Sequence, residues 1–163
     1  MNEHQLTKTV VQPPASVAST ATTTMTFDTI GWDFAVVDVF CGTQTTTDPA
    51  ITTLKFLEND TNTNASNMVA ITALTGGTAG NTSGNFVIPA VTVTGVGAAI
   101  QFQIDLRKRK RYMQLNITPG TTEVVGAVVK LSRGEISALT AAQKSGINMS
   151  ATNVVGCAAI VQV

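Results

Sequence analysis

Apolar side chains recur in this sequence at every second residue, and that period, once fixed, leaves little but β-structure open to the chain. In Ala98–Leu106 the residues Ile100, Phe102, Ile104 and Leu106 fall on one side, with Gln101, Gln103 and Asp105 on the other. Successive side chains of a strand point to opposite faces, so this is the pattern of a strand with one buried and one wetted face. Tyr112–Thr118 repeats it with Met113, Leu115 and Ile117 against Gln114 and Asn116. Pro119-Gly120 then supplies a turn pair, Pro fixing φ and Gly admitting φ > 0. Thr122–Leu131 follows as a further β run, and the three segments together predict a meander.

Asp33–Cys41 reads differently. Trp32, Phe34, Val36 and Phe40 lie on one face, Ala35, Val37, Val39 and Cys41 on the other, and both faces are apolar. Such a strand belongs at the centre of a sheet or under cover on both sides. Asp38 breaks the first face and needs a partner if it is buried. Ser16–Phe27 and Ile51–Leu57 predict two more strands, and Asn85–Ile88, Val91–Thr94 and Asn153–Val163 short ones. Loops are marked by Asp48-Pro49, by Asn59–Asn67 and by the glycine-rich stretch Gly76–Gly84. One short helix is predicted over Ile136–Lys144, closed by Gly146.

Threonine supports the β reading. There are 27 of them, in runs such as Thr22-Thr23-Thr24, interleaved with Val, Ile, Met and Phe. A β-branched side chain suits a pleated surface, and its hydroxyl suits a half-exposed one. Short strands separated by turn signals in a chain of 163 residues predict one all-β domain, an antiparallel two-sheet sandwich of jelly-roll type. The expected division is an N-terminal arm over residues 1–14, a β-sandwich over 15–135, and a C-terminal extension over 136–163 that carries the short helix and a final strand.

The chemistry-bearing residues are few. The single His, His4, stands in a polar leader, whereas acid–base, nucleophilic and most transition-metal sites lean on His. Cys41 and Cys157 sit in apolar runs where a reduced thiol behaves as a small hydrophobe; a disulfide between them is the alternative. Asp28, Asp33 and Asp38 recur at five-residue spacing, which reads as turn and edge aspartates more readily than as a metal site. Gly95-Val96-Gly97-Ala98-Ala99-Ile100 opens like a dinucleotide loop, but Ile100 replaces the third glycine and a strand follows where a helix is needed. No catalytic, metal or cofactor residue is therefore assigned, and no enzyme activity is expected. Met1–Ser16 has no apolar signal core, and no run of apolar residues is long enough to span a bilayer as a helix.

One cluster stands apart. Arg107-Lys108-Arg109-Lys110-Arg111 holds five of the ten basic residues in a chain of formal net charge zero. Between two alternating segments it forms a turn or strand end, read as a solvated loop, a contact with an acidic protein surface, or a phosphate contact. Nucleic acid is disfavoured because no basic stripe or interleaved aromatics extend the cluster. Charged residues are only 12% of the chain, about half the ordinary share, which suits a subunit whose surface is covered by neighbours.

Several blocks carry a family resemblance. Ile30-Gly31-Trp32-Asp33-Phe34 followed by Thr53-Leu54-Lys55-Phe56-Leu57-Glu58-Asn59-Asp60 resembles small β-sandwich structural proteins encoded in the head-gene region of tailed phages and prophages. Ile71–Gly77 and Phe86–Ala90 are similar to their next blocks, Asp105–Tyr112 to a "DLRGRKRYL" element, and Leu131–Glu135 to an "LSRAE" element. Together these cover about residues 17–135, with Lys108 in place of the family's usual glycine. The resemblance implies a non-catalytic virion component in the head, a decoration or cement subunit. It would be oligomeric, made in the host cytoplasm, without cofactor or membrane, and partnered by the major capsid protein and other virion subunits. A head–tail connector or tail protein is the alternative, and a carbohydrate-binding sandwich on a fibre a further one.

Overall fold

The computed structural model describes residues 7–42, 51–61, 67–77, 85–88 and 97–132, together with the backbone of 157–162. Ten strands follow one another: β1 (Thr7–Val17), β2 (Thr23–Asp28), β3 (Phe34–Cys41), β4 (Ile51–Asn59), β5 (Val69–Gly77), β6 (Phe86–Val87), β7 (Ala98–Asp105), β8 (Tyr112–Pro119), β9 (Glu123–Ser132) and β10 (Cys157–Gln162). The first sheet has the order β1-β9-β3-β7-β10 and the second β2-β8-β4-β5-β6. Among the described residues there is no α-helix, and no helix long and apolar enough to cross a membrane.

The order is that of a jelly roll, and it can be rebuilt from a single long hairpin. β1 pairs with β9, β2 with β8, β3 with β7 and β4 with β5, all antiparallel. Folding that four-rung ribbon over itself places alternate rungs in opposite sheets. Two strands are added outside it, both parallel: β6 beside β5 and β10 beside β7. The C-terminal strand read from the sequence is thus the edge strand β10.

The period-two reading places the faces correctly. Ala35, Val37, Val39 and Cys41 of β3 face inward with Ile100, Phe102 and Ile104 of β7 and Val125, Ala127, Val129 and Leu131 of β9. From the second sheet Met25, Phe27, Leu54, Phe56, Ile71, Leu74, Met113, Leu115 and Ile117 meet them. Phe102 lies at the centre, its ring edge-on to Phe56 at 5.0 Å and to Phe86 at 5.5 Å between centroids. β3 is the middle strand of its sheet, as its two apolar faces require. Asp38 has its partner: Gln101, opposite it in register, donates from Nε2 at 2.7 Å.

Three expectations change. The predicted meander is not one, because β8 lies in the second sheet while β7 and β9 lie in the first. Alternation shows which face of a strand is buried and carries no information on which strand it pairs with. Ser16–Phe27, expected as one strand, is broken by a corner at Ala18–Thr22, where the Ala21 amide donates to Ala18 O at 3.0 Å and Thr20 takes φ 67°. A hydroxyl-rich run with neither Gly nor Pro hides that turn. Thr7–Pro14, within the stretch read as an arm, pairs with β9 and forms the edge of the first sheet. The predicted helix Ile136–Lys144, the strand Val91–Thr94, the loop Asp48-Pro49 and His4 lie outside the described residues.

The two cysteines flank β7: Cys41 stands opposite Ala98 and Cys157 opposite Ala99. Two strand spacings, about 9.6 Å, exceed the roughly 7 Å a disulfide tolerates between Cα atoms. Cys41 is a free, buried thiol. Burial, and secondarily the charge of Glu123, pushes its pKa far above the ordinary thiol range, which leaves it protonated and inert at neutral pH.

Candidate functional site

A folded-over hairpin must turn between sheets at paired corners, and the basic run occupies one of them. Arg107–Arg111 forms the β7–β8 corner and packs against the β2–β3 corner, which the nesting brings to the same end. The turn closes through the Arg109 amide, which donates to Leu106 O at 2.9 Å. Leu106 N donates to Asp33 O at 2.8 Å, and Thr29 N to Arg111 O at 2.8 Å. Thr29, buried beneath the corner, adds its hydroxyl to Arg111 O at 2.8 Å. Gly31 supplies the left-handed residue of the facing corner, φ 78°.

Acidic side chains of the same chain meet the cations here. Arg111 holds Asp28 with two nitrogens, Nη2 at 2.8 Å from Oδ2 and Nε at 3.2 Å from each oxygen, and lies 4.8 Å over the Tyr112 ring. Arg107 holds Asp105 in the same way, Nη2 at 2.6 Å from Oδ2 and Nε at 2.9 Å from Oδ1. Arg109 Nη1 stands 3.9 Å from Glu58, and Lys110 Nζ 4.0 Å from Asp60. The carboxylates also bind the turn's backbone: Asp105 takes Arg107 N at 3.0 Å, Glu58 takes Lys110 N at 3.1 Å, and Asp28 takes Ile30 N at 3.0 Å. They build the corner as much as they neutralise it.

Lys108 alone among the five is exposed with no ion-pair partner among the described residues. The positive charge this loop can offer a partner is therefore close to one unit, not five. The sequence reading gave Arg107–Arg111 as a candidate interface; the structure brings the five together with Asp28, Glu58, Asp60 and Asp105, which that reading missed. A usable signal existed. In a chain with so few charges, the acidic Glu58–Asp60 block and the basic block should have been read as partners.

Asp28 and Asp38 take separate partners, Arg111 and Gln101. Among the described residues no group of three or more His, Cys, Asp or Glu is placed to hold a metal ion. The arrangement is an ionic clamp, chemically suited to holding corners and not to moving protons.

The clamp has a pH dependence with a definite sign. Hydrogen bonds from Arg107 hold Asp105 down to about 2, and Arg111 holds Asp28 below the usual carboxylate range. Both groups are depressed on folding, so their stabilisation is complete above the unfolded value, about 3.9, and is lost as pH falls through the folded values. The thermal midpoint should thus be level near neutrality and fall between about pH 4 and pH 2. Asp105→Asn should flatten part of that fall. A profile identical to the unsubstituted chain's would show that the pair contributes nothing.

The opposite end differs in kind. There the β1–β2 corner packs on the β8–β9 corner through neutral groups: Thr20 N donates to Pro119 O at 3.2 Å, Ser19 Oγ to Gly120 O at 2.8 Å, and the Thr22 and Thr118 hydroxyls bond at 2.8 Å. Glu123 is the one ionisable side chain of these corners, and it is buried. Comparison with protein-family models, curated proteins and solved structures finds no match to this chain.

Proposed function

We propose that this chain is a non-catalytic structural subunit of a tailed-phage virion, a decoration (cement) protein. It would stabilise the head shell through non-covalent contacts with the major capsid protein. The observation that carries the reading is the segregation of charge along the jelly roll. Asp28, Glu58, Asp60, Asp105 and Arg107–Arg111 are gathered at one end, while the described corners at the other, β1–β2 and β8–β9, present hydroxyls and backbone. An uncharged end loses little hydration when covered, whereas a charged one loses much. The neutral β1–β2 and β8–β9 corners are thus the ones suited to lie on the shell, with the clamped end in solvent. Repetition over a lattice turns many weak contacts into firm attachment. The block-by-block resemblance to head-region proteins over about residues 17–135 supports the same reading.

The test is occupancy on shells of the phage or prophage that encodes the chain. Thr20→Lys together with Thr122→Lys, both on the exposed neutral corners, should strip the subunit from shells, and Lys108→Ser should not. Copy number in the virion separates this reading from its alternative: hundreds of copies for decoration, about a dozen for a head–tail connector or tail ring. Loss of occupancy from Lys108→Ser alone, with the threonine variants bound normally, would reverse the proposed orientation.

A further inference from the structure

The outward face of the first sheet carries exposed large apolar side chains among its polar ones. Strict register defines its rows: Val11, Val128, Asp38 and Gln101 stand side by side, next to Thr9, Lys130, Val36 and Gln103. On the other side Phe40 lies between Gly126 and Ala99, and Val124 lies opposite Ser16. Three large apolar side chains of this one face are open to water, Val11 at 56%, Val124 at 46% and Phe40 at 43%. Pro14, in the β1 bulge, lies over Gly126 on this face: a Cβ at Gly126 would stand 3.1 Å from its Cα, N and Cγ. Large apolar side chains exposed together on one face mark a candidate interaction surface.

We propose that this face is a self-association surface, on which a second copy of this chain stacks sheet on sheet about a two-fold axis. Three observations favour a second copy over a different partner. First, the chain's formal net charge is zero, so two copies meet without long-range repulsion. Second, the face carries opposite charges one row and one strand apart, Lys130 on β9 and Asp38 on β3. A two-fold operation matches each to the other in the partner, reciprocally, as an isologous interface requires. Third, the size is sufficient. Four strands at about 4.8 Å spacing and eight residues at about 3.3 Å make roughly 19 by 26 Å. That is about 500 Å² per copy and about 1,000 Å² for the pair, at the threshold for a specific interface. Stacked sheets of one protein would interleave Phe40 and the valines in the manner of a sandwich core.

The inference is independent of the virion reading, and one set of measurements tests both separately. Sedimentation velocity of the full chain should show a dimer that dissociates on dilution. Phe40→Lys should weaken it about thirtyfold, the scale of losing a central interface anchor. Lys130→Asp should weaken it too, and adding Asp38→Lys should restore it, which general loss of stability would not do. Should Phe40→Lys fail to fold by circular dichroism, Val124→Lys at the edge of the same patch serves with the same expected effect. A wild-type chain that stays monomeric at about 100 µM overturns the proposal, as does a dimer indifferent to both the Phe40 and Lys130 substitutions. A dimer that does not bind shells leaves this surface standing and removes the virion reading. A monomer that decorates shells does the reverse.

Discussion

Phe102→Ala is expected to destabilise the domain by about 4 kcal/mol, a large share of the roughly 5–15 kcal/mol by which an ordinary single domain is stable. The side chain is fully buried and sits at the meeting point of both sheets, with Phe56 and Phe86 edge-on to it. Truncation removes the transfer free energy of the ring and leaves a cavity that flanking β-sheets cannot easily close. Each edge-to-face contact adds about 0.5–1.5 kcal/mol beyond burial. Urea unfolding followed by Trp32 fluorescence would measure the cost. A loss below about 2 kcal/mol would mean that the core collapses around the gap, and that the three-ring cluster is not its centre.

The second large effect comes from adding atoms. Gly76 of β5 lies beneath Phe86, and a Cβ built there would approach two atoms of that ring to 2.4 and 2.5 Å and Ile88 Cγ1 to 2.9 Å. The ring has no retreat inward, because Phe102 stands behind it. In Gly76→Ala either Phe86 swings into solvent and gives up its contact, or β5 shifts against β4. Overpacking of this kind costs about 2–3 kcal/mol. The double substitution Gly76→Ala, Phe86→Leu should cost less than the sum of the two singles, since the smaller side chain relieves the overlap. Strict additivity would show that the methyl group is accommodated elsewhere.

Much of this architecture was legible in the residues, and the reasons differ from element to element. The alternation in Ile100–Leu106 and Met113–Ile117 states which side chains are buried, because a strand has only two faces. The doubly apolar β3 stated its central position for the same reason. Pairing was not legible: β7, β8 and β9 follow one another in sequence yet alternate between sheets, because partners are chosen by the folding of the whole ribbon. The corner at Ala18–Thr22 was hidden because hydroxyl side chains, and not glycine or proline, make it. At the basic corner the cations were visible at once. Their partners were not, because Asp28, Glu58 and Asp60 lie far from Arg107–Arg111 along the chain and meet them only through the nesting.

That nesting also sets an order in time. Thr7 stands opposite Ser132, so β1 leaves the ribosome about 125 residues before its neighbour is complete. At ordinary elongation rates the delay is on the order of ten seconds. Throughout it β1 lacks its native partner, and Pro13 and Pro14 fall where β1 loses register with β9, the place where two missing amide donors cost the finished sheet least and hinder a stray strand most. The same two prolines therefore serve twice, in the nascent chain and at the open edge that β1 leaves in the finished sheet.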